Sequence, residues 1–447
     1  MNRLALTLLG ASLLLAACNA RPEHAMPDVA AIDAKLAFTC AYEQDKLPPL
    51  NPEADQLFRY GRWLDKNNVL NRQRAVSETV ARYYRIAAAH GHYKANINLQ
   101  NNFSHGDMDG DIEEMLNLND ALIKAGVPMG YYILGHYIEN GFGYDQNEEL
   151  ALKMFRHAAD LGSKEAQYYV GDRLTRLTIS YPEPYAVGLQ MKRCAAEQGH
   201  GKAAQETGIN LAGKQQYPEA IKYYQLGAKA GDAGSARWLA NGFSEADPED
   251  PTYLGGHIDA ERAQRYRAIS VILRNYAYAN PAVPELDDIV PLPPAKLPTW
   301  DGKIQWLKDH EANLPPPKPS EELMTRLAEA KALDPTTGKP DPKRQQAQKA
   351  QAAQLDALAP RSASDLPLGT LCRTGERCPQ SGVWRVEMPK GHISAYSPSI
   401  LTGVFIAKGA AMPAFYVIRE RKNFLLQYLF GYQEGHEPVV WKLAAYR

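Results

Sequence analysis

The stretch GFGYDQNEELALKMFRHAADLG, residues 141–162, carries glycines at both ends of a helix-length segment and an Ala-Ala pair near its finish. Leu150, Met154 and Ala158 recur at i, i+4, as do Ala151, Phe155 and Ala159 beside them, so the segment has one apolar face. Asn147 is placed to cap the helix start, and Glu148 and Glu149 suit its positive end. Gly162 supplies the left-handed position that stops the helix. Gly141 and Gly143 turn the chain between this helix and the one before it, and the small Ala-Ala pair admits close approach of the next.

The same marks recur along the chain. Gly91, Gly126, Gly162, Gly199 and Gly231 each follow a helix-like stretch, at spacings of 35, 36, 37 and 32 residues. Four residues after each comes a small residue: Ala95, Gly130, Ala166, Ala203 and Ser235. Nine residues after each come Gln100, Gly135, Gly171, Gly208 and Ala240. A period near 35 means stacked supersecondary units, none of which can bury its apolar face alone. The run LGHYIENGFGYDQNEELALKMFRHAADLG closely resembles a Sel1-like repeat, a relative of the tetratricopeptide repeat. That resemblance implies a mostly α fold, a right-handed α-solenoid of helix pairs over residues 51–280. The motif weakens in 163–199 and 200–231 and is weakest at 78–103 and 232–270, which predicts irregular stacking. Residues 54–66 read as an additional leading helix.

Residues 281–342 hold thirteen of the chain's 31 prolines. An extended Pro-rich strap and helical linker is therefore expected over 281–365. Trp300, Ile304 and Trp306 suggest that part of it packs on the solenoid. Ser320 is placed to cap a short helix over 320–335, and a second helix is expected over 343–360. From 366 to 447 the period changes to alternation. VWRVEM, GVFIAK, AFYVIRE, FLLQYLF and VVWKLAAY predict a small antiparallel β domain. GERCPQSGVW and AKGAAMP within it resemble a short module associated with proteins encoded around type VI secretion effectors.

The first 17 residues read as a signal peptide: Arg3 precedes an apolar run from Leu4 to Leu15, too short for a membrane span. Leu15-Ala16-Ala17-Cys18 resembles the lipobox of bacterial lipoproteins; an ordinary secretory signal with a chance cysteine is the alternative. The lipobox resemblance implies cleavage before Cys18, lipidation of that residue and a tether over 18–50. Asn19 after it implies sorting to the outer membrane, facing the periplasm. In such an oxidising compartment Cys372 and Cys378, flanking the turn-like RTGER, form a candidate disulfide. Cys40 and Cys194 either pair or leave Cys194 buried as a free thiol.

Lys+Arg total 50 and Asp+Glu 51, a balance unlike the basic footprint of a nucleic-acid binder. The Asp107, Asp109, Asp111 series lacks the Gly and Glu of an EF-hand, having Ile112 and Leu118 instead. His92 and Lys94 give the His-x-Lys of a phospholipase D motif, but Leu99 stands where its Asp belongs. No Gly-x-Ser-x-Gly elbow, Walker loop or His-Glu-x-x-His appears, and no metal or cofactor is expected. A binding surface is expected instead. By the tetratricopeptide resemblance, the groove is lined by first-helix residues three, six, ten and thirteen places after each glycine. They include Tyr132, His136, Glu139, Tyr168, Asp172, Gln205, Arg237 and Asn241. Tyr and Arg are favoured interface anchors, although Tyr132 and Tyr168 fit equally as packing between repeats.

Much of the chain also resembles Sel1-repeat lipoproteins encoded beside type VI secretion lipase effectors, through YYRIAAAHGHYKANINLQ, GYYILGHYIENGFGYDQN and IVPLPPAKLPTWDG. The resemblance implies a periplasmic, membrane-anchored immunity protein, not an enzyme, that binds and inhibits a toxin, a phospholipase and by preference one of the phospholipase D class. The alternatives are an envelope scaffold for assembly or export of a cell-surface polymer, or an enzyme acting on peptidoglycan-derived or lactam ligands.

Overall fold

Helices pair in sequence order along most of the chain. In the computed structural model the described residues are 36–176, 182–348 and 350, followed by 370–379, 382–387, 404–406, 411–412, 415–419, 433–437 and 440–446. The expected signal peptide, Cys18, most of the tether, residues 351–360 of the expected second linker helix and the expected strand at 424–430 lie outside them. The helix pairs are α1 (Pro52–Asn68) with α2 (Arg74–Ala89), α3 (Tyr93–Ser104) with α4 (Ile112–Lys124), and α5 (Pro128–Glu139) with α6 (Glu148–Asp160). They continue with α7 (Lys164–Arg176) and α8 (Pro182–Glu197), α9 (Gly201–Ala212) and α10 (Tyr217–Lys229), and α11 (Ala233–Gly242) and α12 (Ala260–Asn275). Each helix packs on the one that follows it, within a pair and between pairs, and α5 touches α7 as α9 touches α11. This is an α-solenoid whose first helices form one continuous wall.

Local chemistry explains the units. Asn147 caps α6 as its position predicts, accepting from the Leu150 N–H at 3.0 Å. Met154, Phe155, Ala158 and Ala159 on its apolar face are fully buried. The glycines nine places into each unit serve packing. A Cβ on Gly135 would meet the Phe155 ring at 2.5 Å, and one on Gly208 the Tyr224 ring at 2.6 Å. Gly162 has φ +106°, and a Cβ there would also meet the Tyr42 backbone at 2.6 Å. That second demand comes from an N-terminal segment laid across the middle of the array. Arg156 donates to the Ala37 carbonyl at 2.6 Å, Gln167 to the Ala41 carbonyl at 2.8 Å, and the Glu43 N–H to Gln198 at 2.8 Å. A disulfide between Cys40 and Cys194 pins the segment to α8.

The Pro-rich region holds the ends of the array. The Val283 N–H donates to the Lys229 carbonyl at 2.8 Å, and Arg265 donates to the Ile289 and Pro298 carbonyls, each at 2.7 Å. Leu286, Val290 and Ile304 are buried against α10 to α12. A short helix, α14 (Gln305–Ala312), follows α13 (Leu286–Ile289) and crosses from the last pair to the first. Leu307 belongs to the core of the last pairs, whereas Asn313 accepts from the Trp63 indole of α1 at 2.9 Å and bonds to Asn67. Six helical residues rise about 9 Å, so the two ends lie close together. Helix α15 (Glu321–Ala330), capped by Ser320 as expected, then buries Met324, Leu327 and Ala328 in the core of α1 and α2. Arg82 pairs with Glu321 at 2.6 Å and donates to the Pro335 carbonyl at 2.6 Å.

The C-terminal region is antiparallel β structure. Its strands are β1 (Leu371–Arg373), β2 (Gly382–Glu387), β3 (Val404–Ile406), β4 (Phe415–Arg419), β5 (Gln433–Glu437) and β6 (Val440–Tyr446). One sheet runs β1-β6-β2-β3 and β4 pairs with β5. Two strands differ from expectation. QEGHE, expected as a connection, is β5 because β4 supplies its ladder despite its polar sequence. Leu371–Arg373 is β1 through pairing with Val440–Lys442, about seventy residues away.

Candidate functional site

Two linked polar clusters occupy the first-helix wall. The first joins α5 to α7. Glu139 accepts from the Tyr169 hydroxyl at 2.9 Å and from Arg173 at 2.7 Å, and His136 lies 3.3 Å from the same carboxylate. The His136 ring stands edge-on to Tyr132, Phe155 and Tyr169, with centroids 4.7, 4.7 and 5.3 Å away. Arg173 lies over the Tyr169 ring at 4.5 Å. Burial lowers the His136 pKa against the pull of Glu139, favouring the neutral ring. Burial acts to raise Glu139, but the bonds from Tyr169 and Arg173 outweigh it and hold the carboxyl below its usual range. Tyr132 is pushed up to about 12, by burial first and then by the charges of Glu165 and Glu139.

The second cluster ties α7, α8 and α9 together. Lys192, nearly sealed on α8, donates to Asp172 at 3.0 Å and to Glu206 at 2.7 Å. Asp172 also accepts from Arg176 at 2.7 Å, and Glu206 from the Tyr168 hydroxyl at 3.0 Å. Tyr168 stacks on His200 with centroids 4.4 Å apart. Burial, and next the Lys164 charge, hold His200 down to about 4. Its neutral Nδ1 can therefore cap α9, accepting from the Ala203 N–H at 3.1 Å. His92 caps α3 at Ala95 in the same way, and Asp232 caps α11 at Ser235. The position after each unit's glycine is thus an N-cap position, served by the side chains of His92, Ser163, His200 and Asp232 but not by that of Val127.

The expected wall residues divide accordingly. Tyr132, His136 and Glu139 fall in the first cluster, and Tyr168 and Asp172 in the second. Gln205 differs from them in being buried, its amide oxygen accepting from Lys202 at 2.7 Å and its amide nitrogen lying against Gly234 of α11. Arg237 is exposed and Asn241 half-buried on α11. Tyr169, Arg173, Lys192, His200 and Glu206 were not marked by the first-helix rule. Tyr169 and Arg173 follow Tyr168 and Asp172 by one place, while Lys192 comes from a second helix that the rule does not count.

Residues 235–341 match the sequence model of a family described as a domain of unknown function (DUF6396). They run from α11 through the strap to its last contacts with α2. The solved structures similar to this chain come from immunity and Sel1-repeat proteins, among others. The chain is 28% identical to Pseudomonas aeruginosa 5086 (PA5086) over 57% of its own length and 95% of that chain, with a TM-score of 0.45. To immunity protein Pa5087 of Pseudomonas aeruginosa it is 27% identical, over 58% and 95%, with a TM-score of 0.45. To immunity protein PA5088 of the same organism it is 25% identical, over 57% and 94%, with a TM-score of 0.42. No curated protein matches the chain.

Two further observations bear on the expected residues. Cys372 and Cys378, expected as a disulfide, are both buried thiols and are not bonded to each other, and the disulfide joins Cys40 with Cys194. The Cys372 thiol turns to the Glu376 carboxylate at 3.4 Å and the Cys378 thiol to the Ile406 carbonyl at 3.7 Å, so each has a separate partner. A polar cleft of about 350 Å³ lies away from the wall, between the end of α1 and the α3–α4 loop, and includes Asp65, Arg72, Arg74 and Asp107.

Proposed function

We propose that this chain is an immunity protein that binds a secreted toxin through the wall of α5, α7, α9 and α11 and thereby inhibits it. The observation that carries the reading is the make-up of that wall. Half-buried aromatic rings and charges stand on rigid helices, and each carboxylate is held from behind by a neighbour: Glu139 by Tyr169 and Arg173, Asp172 and Glu206 by Lys192. Side chains fixed in this way lose little freedom on docking, which favours protein recognition. The resemblance of the repeats to Sel1-repeat lipoproteins encoded beside type VI secretion lipases supports a phospholipase toxin, of the phospholipase D class by preference. The lipobox-like sequence at Cys18 supports anchoring to the outer membrane, facing the periplasm. Two partners tethered at one membrane meet at raised effective concentration.

The test is direct. The chain from Cys18 onward and a candidate lipase toxin from its genetic neighbourhood are expressed together, and co-purification, lipase activity and survival of a sensitive cell are measured. A stable complex with suppressed activity is expected. Full lipase activity and no protection would refute the reading, and dependence of polymer export on the chain would favour a scaffold.

A further inference from the structure

Every ion pair on the outer side of the wall leans the same way. In Arg173–Glu139 the side chains are 39% and 26% exposed, in Arg176–Asp172 77% and 23%, and in Lys202–Glu206 53% and 24%. The carboxylate is recessed each time and the cation stands out. Two of the recessed carboxylates are further neutralised from within by Lys192, which is 8% exposed and bonded to Asp172 and Glu206. Arg237 continues the row on α11, one turn beyond Gly234, which lies against Gln205. It is exposed and forms no ion pair or hydrogen bond with a described side chain. In the loop that follows α11, Glu245 accepts from the N–H groups of Ala246 and Asp247, Asp247 from that of Glu249 and Asp250 from Thr252, while Asp247 and Glu249 are exposed.

We propose that this wall receives an acidic segment of a protein partner, whose carboxylates meet the row formed by Arg173, Arg176, Lys202 and Arg237. The proposal rests on the toxin-binding reading and specifies the chemistry of the docking segment. Charge complementarity carries it. Guanidinium groups match carboxylates in bidentate geometry, and Arg173 is already oriented by Tyr169 and Glu139. The spacing of the row favours a protein over a membrane. A lipid surface rewards a dense excess of positive charge, whereas here each of three cations is matched by a recessed carboxylate and tyrosines lie between them. Discrete acidic side chains with apolar neighbours suit such a surface.

The test needs no knowledge of the toxin. A fluorescent peptide of alternating glutamate and tyrosine is titrated with the mature chain at low and at physiological salt. Vesicles containing phosphatidylglycerol are titrated in parallel. The compared variant carries Arg176→Gln, Lys202→Gln and Arg237→Gln, three exposed side chains whose loss leaves Asp172 and Glu206 bonded to Lys192, and thermal melting verifies its fold. The expected results are saturable peptide binding that weakens with salt, at least about a tenfold loss in the variant, and weaker binding to vesicles. Equal peptide binding by the variant, no peptide binding by the wild type, or preference for vesicles would overturn the proposal. Co-purification of the wild type with the lipase alongside any of those outcomes would leave the immunity reading standing and remove only this one.

Discussion

The middle of the array and its two ends are held by different means. Across α6, α7 and α8 the N-terminal segment is fastened through backbone carbonyls and one disulfide. At the ends, α1 with α2 and α11 with α12 are joined by the strap, which relies on buried apolar side chains, on arginines donating to carbonyls and on the Asn313 joint. In a stacked array each unit contacts only its neighbours, so terminal units are the weak points. Here one segment caps both ends at once, while the covalent restraint sits beside the wall residues of α7 and α9. The difference teaches that the covalent restraint lies near the proposed binding surface and not at the ends.

The strongest challenge to that contrast is removal of the disulfide. It links positions 154 residues apart, and loop entropy sets an upper figure of about 5 kcal/mol for its contribution. Cys40→Ala with Cys194→Ala should lower the urea midpoint substantially and increase hydrogen exchange first in α6 to α8. Loss confined to the terminal helices would show that the segment does not organise the middle. At the ends, Arg265→Ala leaves the Ile289 and Pro298 carbonyls without a charged donor, at a cost of about 3 kcal/mol. Exchange should then rise in α11, α12 and residues 283–304 while α5 to α8 stay protected.

Smaller changes sharpen the comparison. Asn313→Ala removes the joint to Trp63 and Asn67 and should cost about 1 kcal/mol, read as a modest fall in the melting temperature. A pH slope is also expected at His200. The folded side chain holds its pKa near 4 against an unfolded value of 6.5. Its contribution is therefore complete above pH 6.5 and is lost as the pH falls towards 4. Glu43 acts in the opposite sense. Burial, and next the Glu165 charge, raise its carboxyl to about 7, so its contribution is lost as the pH rises from 4.5 through 7. His200→Asn keeps a capping side chain and should flatten the acid limb of stability measured by urea titration at pH 7 and pH 5. An unchanged slope would remove His200 from the account.

The helix pairs were legible because their causes are local. The glycine period, the Asn147 cap and the apolar face of α6 are each visible within one unit. The second role of Gly162 was not, because the backbone it admits belongs to Tyr42 and Glu43, more than a hundred residues away. The Cys40–Cys194 pairing is long-range for the same reason. The cap role of His92 and His200 was within reach, since both follow a unit glycine, but histidine is an uncommon cap, and His92 also fits the His-x-Lys pattern. On the wall, counting first-helix positions located Tyr132, His136, Glu139, Tyr168 and Asp172. Lys192 escaped because charge pairing across helices leaves no mark in spacing. In the β region, β1 and β5 depend on partner strands more than on their own alternation.

Hydrogen–deuterium exchange of the chain with and without the lipase that it is proposed to inhibit tests the central claim most directly. The account predicts that the lipase slows exchange in residues 132–139, 165–176 and 202–209, with α2, α15 and the strap unaffected. Protection confined to 370–446, or no change on the wall in a complex that inhibits the lipase, would contradict it.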